Sequence, residues 1–364
     1  MENLVTNYLL YNGFYNNKKV FITGHTGFKG SWLCLLLNSL GADVYGYALK
    51  PVTSPSLFKS AGIENNITSF IGDIRDFKNL LSKLEIVKPD IVIHMAAQPL
   101  VRESYRNPVE NYEVNVMGTV NILEAVRKVK NIRVVLNVTT DKCYENKEWH
   151  WAYRENEPLG GYDPYSNSKA CSELVTSSFR SSFFNPENYQ IHKTVLVTAR
   201  AGNVIGGGDW SSDRLIPDFI RSIISEEKVE IRNPTAIRPW QHVLDCLSGY
   251  LTLIEKASDS EGRLSGAWNF GPEESDARDV KWIIEQLCKK WGNAEYIINK
   301  EASLHEANYL KLDCSKSKNE LSWYPRWNIE TALDKVVEWN KSFIKNENVK
   351  EICIRQLNDY FITN

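Results

Sequence analysis

Tyr165-Ser166-Asn167-Ser168-Lys169 sets a phenol and an ammonium four residues apart, so on a helix both lie on one face. A neighbouring ammonium favours the phenolate and draws a tyrosine down from its ordinary value of about 10. Such a tyrosine can take a proton from a sugar hydroxyl while hydride leaves the same carbon. The same spacing also occurs on solvated helix faces, so the pair gains meaning only from what precedes it. Upstream, Gly24, Gly27 and Gly30 recur at every third residue of GHTGFKG. Thr139-Thr140-Asp141-Lys142 lies between the two motifs. Glycine turn, polar strand end and Tyr-Lys pair, in that order, make a strong combination.

These groups need a frame. Val20 to Thr23 reads as a short buried strand and Ser31 to Leu40 as an apolar helix closed by Gly41. A strand, a glycine turn and a helix N-terminus together seat a pyrophosphate. The first glycine makes the turn, the second admits the phosphate to the backbone, and the third lets the helix pack close. Further strands are expected at Asp43 to Leu49, Ser69 to Ile74, Ile91 to Ala97, Arg133 to Val138 and Thr194 to Ala199. Pro108 to Val129 carries apolar residues at helical spacing, with Asn115 inside. Regular strand–helix alternation predicts a Rossmann-type doubly wound parallel α/β sheet, which places ligands at the carboxyl ends of its strands.

Several residues stand at those ends. Asp73 and Ile74 close the third strand and can meet an adenine, while Ala96 and Ala97 leave the backbone open to a cofactor. His94, inside an apolar run, reads as a core histidine. Lys50 stands where an acid would hold a ribose, so spacing leaves NAD and NADP open. Beyond residue 200 come Gly206-Gly207-Gly208, a stretch rich in Pro, Trp and Arg, and amphipathic helices at Asp279 to Lys290 and Ile329 to Lys345. They predict a smaller C-terminal α/β lobe that binds substrate. Residues 1–200, with return segments from about 240–272, form the cofactor domain in this reading, and 201–364 mainly the substrate lobe.

Composition removes other classes. A net charge of −2 over 364 residues gives no electrostatic case for nucleic acid or anionic membrane. Seven scattered cysteines without a CxxC pair argue for free thiols and against a zinc site. The first residues lack the basic head and apolar core of a signal peptide, and no apolar run is long enough to span a bilayer. A cytoplasmic enzyme is expected.

GHTGFKG, GDIRD, HMAAQ, NVMGTVN, TTDK, YSNSK and RAGNVIGGGDW together resemble the extended short-chain dehydrogenase/reductase family. GHTGFKGSW, GYALKPVTSPSLF, TTDKCYEN, EPLGGYDPYSNSKACSE and RPWQHVLD are similar, within it, to nucleotide-sugar 4,6-dehydratases acting on cytidine-diphosphate sugars. The resemblance implies bound NAD, a homodimer built from the helices around Pro108 to Val129 and Tyr165 to Arg180, and CDP-glucose as substrate. Thr140, Tyr165 and Lys169 become the alcohol-oxidising trio. Gly24, Thr26, Gly27, Phe28, Gly30, Asp73, Ile74, Ala96, Ala97, Asn115, Tyr165 and Lys169 become the cofactor contacts.

A dehydratase also needs an acid to protonate the departing C6 hydroxyl and a group to handle the C5 proton. Asp141 is the candidate acid, which requires a carboxyl raised by burial, whereas its commoner role is a cap. Lys142 stands where thymidine-nucleotide dehydratases carry a glutamate, and acts as base or as enolate stabiliser. Asn203 and Arg238 lead the substrate candidates, with Gln98 and Arg214 behind them; Arg238 can fork onto a diphosphate. Trp210 and Trp240 read equally well as ligand contacts or core. A 4-epimerase shares the trio without needing the acid, and a cofactor sensor would dispense with Tyr165 or Lys169.

Overall fold

The structure is a computed structural model and describes residues 7–292, 294–299 and 308–362. Six strands, β1 (Lys19–Thr23), β2 (Asp43–Ala48), β3 (Thr68–Ile71), β4 (Ile91–His94), β5 (Val134–Val138) and β6 (Val195–Ala201), are joined by a seventh, Gly266–Phe270. Their order is seventh-β6-β5-β4-β1-β2-β3, and every pairing is parallel. The doubly wound sheet expected from the alternation is present. Val20, Ile22, Ile91, Ile93, Val134 and Leu136 feed one core, while Phe21, Val92, Val135 and Leu196 feed the other. Burial on both faces explains why these strands read as unbroken apolar runs.

Helix α1 (Phe28–Ser39) begins three residues before the expected Ser31. It is apolar on every side because it packs between β2 and the helices Val243–Ser258 and Val349–Ile362. Two strands are shorter than their apolar runs. β3 stops at Ile71, and β4 stops at His94, beyond which the Ala96 N–H turns to the Thr23 hydroxyl. The expected helix over Pro108 to Val129 contains a π-helical turn, Glu113–Met117, between α-helices Pro108–Tyr112 and Gly118–Lys128.

Among the described residues, three two-stranded pairs lie outside the main sheet: Val204–Ile205 with Gln241–His242, Ile237–Pro239 with Ala277–Asp279, and Val229–Ile231 with Tyr296–Ile298. Helices Val280–Trp291 and Ile329–Ile344 match the amphipathic segments read from the sequence. The C-terminal helix Val349–Ile362 had no clear signal. It is anchored by the Tyr360 hydroxyl, which donates to Asp245 Oδ1 at 2.7 Å.

Candidate active site

The strand order reverses between β1 and β4, and the two loops leaving these strands touch there. Gly24 has φ +79°, and a Cβ on it would lie 2.7 Å from the Ala96 nitrogen. A Cβ on Gly30 would lie 2.3 Å from the Gly24 carbonyl oxygen, so this glycine lets α1 start against the turn. Gly27 is different: its added Cβ would meet only the Gly24 oxygen, at 3.5 Å. Gly27 also caps α1 without a side-chain bond, leaving the first-turn N–H groups for an anion. The residues therefore fit a pyrophosphate. The Thr26 hydroxyl donates to the Leu49 carbonyl at 2.9 Å, fixing the turn to the end of β2, while Phe28 lies beside Gly206.

Along the far edge, the Asp73 carboxylate is held by Arg75, at 2.6 Å to Nη2, which keeps it below the usual carboxylate range. Ile74 is buried against Gly118. Asn115 is only 1% exposed. Its oxygen accepts from the Gln98 N–H at 2.9 Å, and its amide donates to the Gln98 carbonyl at 3.1 Å and to the Ser168 hydroxyl at 2.9 Å. Asn115 thus braces the loop holding Ala96, Ala97 and Gln98 against the helix that bears Tyr165. The Gln98 side-chain oxygen accepts from the Leu100 N–H at 3.1 Å. His94 is a satisfied core histidine, with Nδ1 2.7 Å from the Thr23 hydroxyl, and burial lowers it to about 3.

Tyr165 and Lys169 share the inner face of helix Pro164–Ser182, started by Asp163, whose carboxylate accepts from the Ser166 N–H at 2.9 Å. The Lys169 ammonium donates to the Val138 carbonyl at 3.2 Å, at the end of β5. Two residues on, Thr140 caps the short turn Asp141–Cys143 and donates to Asp141 Oδ1 at 2.9 Å. The Thr140 side chain also reaches the Tyr165 phenol and opposes its rise. The trio therefore converges.

One expectation changes. Burial pushes Tyr165 up to about 12, and the groups that oppose this are Thr140 first and then Arg214, with Lys169 not among the main causes. Lys169 itself falls to about 8, through burial first and then through the nearby Lys29 ammonium. Sharing a helix face did not make Lys169 the main influence on the phenol, because its ammonium is drawn to the strand end.

Asp141 is 2% exposed, and burial raises its carboxyl above the ordinary range. Its Oδ2 has no hydrogen-bond partner among the described residues. That oxygen faces Gly202, where an added Cβ would lie 3.2 Å away. Gly202 precedes Asn203, and the Asn203 carbonyl accepts from the Gln241 N–H at 3.0 Å. Arg238 is buried nearby and acts electrostatically on Asp141. Arg214 forms an ion pair with Asp209 at 3.1 Å. Asn203, Arg214 and Arg238 are thus gathered around Asp141 and Tyr165, and Lys142 stands half-buried beside them. Trp210 and Trp240 are core: Trp210 packs on Phe343, and the Trp240 indole donates to the Arg278 carbonyl at 3.0 Å.

Lys29 escaped the sequence reading. Its ammonium donates to the Tyr250 hydroxyl at 2.9 Å and faces Lys169 and Asp141. The available signal was a lone lysine in the first turn of an otherwise apolar helix.

A family model described as GDP-mannose 4,6 dehydratase matches residues 21–336. The chain belongs to that family. A CDP-glucose 4,6-dehydratase of Salmonella typhimurium is 53% identical over 348 residues, covering 95% of this chain and 97% of that protein. A dTDP-glucose 4,6-dehydratase of Xanthomonas campestris is 26% identical, covering 87% and 92%. Among solved structures, a dTDP-glucose 4,6-dehydratase of Streptomyces venezuelae with NAD bound superposes with TM-score 0.77 at 22% identity, over 90% of this chain and 98% of that one. A UDP-glucose 4-epimerase of Thermotoga maritima with UDP-glucose reaches 0.76 at 21%, over 90% and 99%. The fold accommodates both reactions, so the choice between them falls to the site. Among the described residues no helix is long and apolar enough to cross a membrane.

Proposed function

We propose that this protein is a CDP-glucose 4,6-dehydratase, a hydro-lyase that turns CDP-D-glucose into CDP-4-dehydro-6-deoxy-D-glucose and water. The nucleotide and sugar rest on the 53% identical relative. The reaction rests on one observation, the buried Asp141 whose raised carboxyl adjoins Thr140. A carboxyl raised by burial holds its proton to higher pH and can give it to the departing C6 hydroxyl. A 4-epimerase has no such need.

Gly24 to Gly30 and the β4 loop would hold NAD, which would supply a reversible hydride acceptor facing the sugar. Tyr165 takes the C4 hydroxyl proton, with Thr140 holding phenol and hydroxyl in line. Thr140 and Arg214 oppose the burial that raises the phenol, and the Lys169 ammonium, held at the Val138 carbonyl, supports a ribose hydroxyl. With C4 a ketone, the C5 hydrogen is acidic, and Lys142 serves that step. Asn203, Arg214 and Arg238 grip the sugar diphosphate, with Gln98 at the sugar. Residues 1–200 with the return at about 240–272 make the cofactor part, supported by the seventh strand adding beside β6, and 201–364 mainly cover the substrate. The setting is cytoplasmic deoxysugar synthesis, and the assembly is a homodimer through the helices around Pro108 to Val129 and Tyr165 to Arg180.

Mass spectrometry of CDP-glucose incubated with the protein and NAD tests the reaction. The sugar nucleotide should lose one water; an unchanged mass with a galactose-type isomer would mean an epimerase instead. In heavy water the same assay reports the C5 step: Lys142→Ala should slow deuterium entry at C5, and undiminished entry removes Lys142 from it.

A further inference from the structure

We infer that the buried Glu173–Arg200 ion pair is a positioning device that fixes Thr140, Asp141 and Lys142 from both sides against the helix bearing Tyr165. The inference rests on the catalytic reading above and goes beyond it. Glu173 lies one helical turn after Lys169 and is 3% exposed. Its carboxylate accepts from the Thr139 hydroxyl, from the Thr198 hydroxyl at 2.8 Å and from Arg200 Nη2 at 3.0 Å. Thr139 immediately precedes Thr140. On the other side, Arg200 Nη1 donates to the Tyr144 hydroxyl at 2.9 Å, and its guanidinium lies 4.9 Å from the centre of the Tyr144 ring. Tyr144 directly follows the turn Asp141–Cys143. The Tyr144 hydroxyl passes the connection on, donating to Asn269 Oδ1 at 2.7 Å on the seventh strand.

The arrangement forms a ladder between strand end and helix. Lys169 holds the Val138 carbonyl, Glu173 holds Thr139, and Tyr165 meets Thr140. Each successive residue of the strand end is thus matched to the catalytic helix or its ion pair. Taking two charges out of water is costly, and a hydrophobic pair of similar volume is often as stable. What this pair supplies is geometry. It holds the segment from Thr139 to Tyr144 at both ends, in a reaction where a misplacement of about 1 Å can cost a hundredfold in rate.

Thr139→Val removes the hydroxyl while keeping shape and leaving Glu173 paired to Arg200 and Thr198. Tyr144→Phe removes the other anchor. Each should lower kcat about tenfold with KM for CDP-glucose unchanged, and Thr139→Ser should restore kcat. Wild-type kcat in folded Thr139→Val and Tyr144→Phe would overturn the inference, as would equal losses in Thr139→Val and Thr139→Ser. If Thr139→Val does not fold, Glu173→Asp, which shortens the reach to Thr139 but keeps the charge, carries the same expectation and the same refutation. Tyr165→Phe is run alongside: turnover retained there would defeat the catalytic reading itself, whereas its loss beside an active Thr139→Val defeats only the positioning role.

Discussion

Lys29 ties the cofactor turn to the acid–base chemistry through charge. The Lys169 ammonium lies well below its ordinary value, first through burial and then through Lys29. The active form carries the proton on Lys169, so kcat/KM should fall as pH rises through about 8. Lys29→Met removes a repelling charge and therefore raises Lys169, moving the falling limb of the pH–rate profile upward by about half a unit or more. An unmoved limb would show that Lys29 acts elsewhere. Tyr165 and Lys169 were legible in the sequence because an i, i+4 pair needs only a helix. The approach of Arg214 to Tyr165 was not, since it depends on how the chain beyond residue 200 folds back over the sheet. Nor was Asn115 as a brace, because its four side-chain hydrogen bonds go to three residues, Gln98, Asn111 and Ser168.

At the scale of elements, the two helices Gly118–Lys128 and Pro164–Ser182, with the short turns before the first, form the packed face behind the site. Their outer surface still carries apolar side chains, with Val109 72%, Met117 50% and Leu174 56% exposed. Apolar groups aligned on adjacent helices favour a twofold contact between copies. Light scattering should give twice the protomer mass, and Leu174→Lys should shift it toward the monomer; a monomeric wild type would refute the assembly. Apolar periodicity over Pro108 to Val129 was continuous in the sequence, yet it concealed the π turn that carries Asn115 inward. Strand ends were overread for a similar reason. Ile91 to Ala97 is apolar but for His94, yet β4 ends at His94 and the Ala96 N–H turns to the Thr23 hydroxyl.

For the molecule as a whole, the doubly wound sheet was readable because its strands are buried on both faces and alternate with helices. The docking of Val349–Ile362 on α1 was not, since it depends on contacts more than a hundred residues apart, such as Tyr360 with Asp245. The sheet gives one crevice, and the account requires a single bound NAD to serve both redox steps within it. CDP-glucose labelled with deuterium at C4, incubated with the protein and NAD, tests this most directly. Product that has lost one water and carries the deuterium at C6 is the predicted result. Deuterium left at C4, or lost to solvent while water is eliminated, would contradict the account.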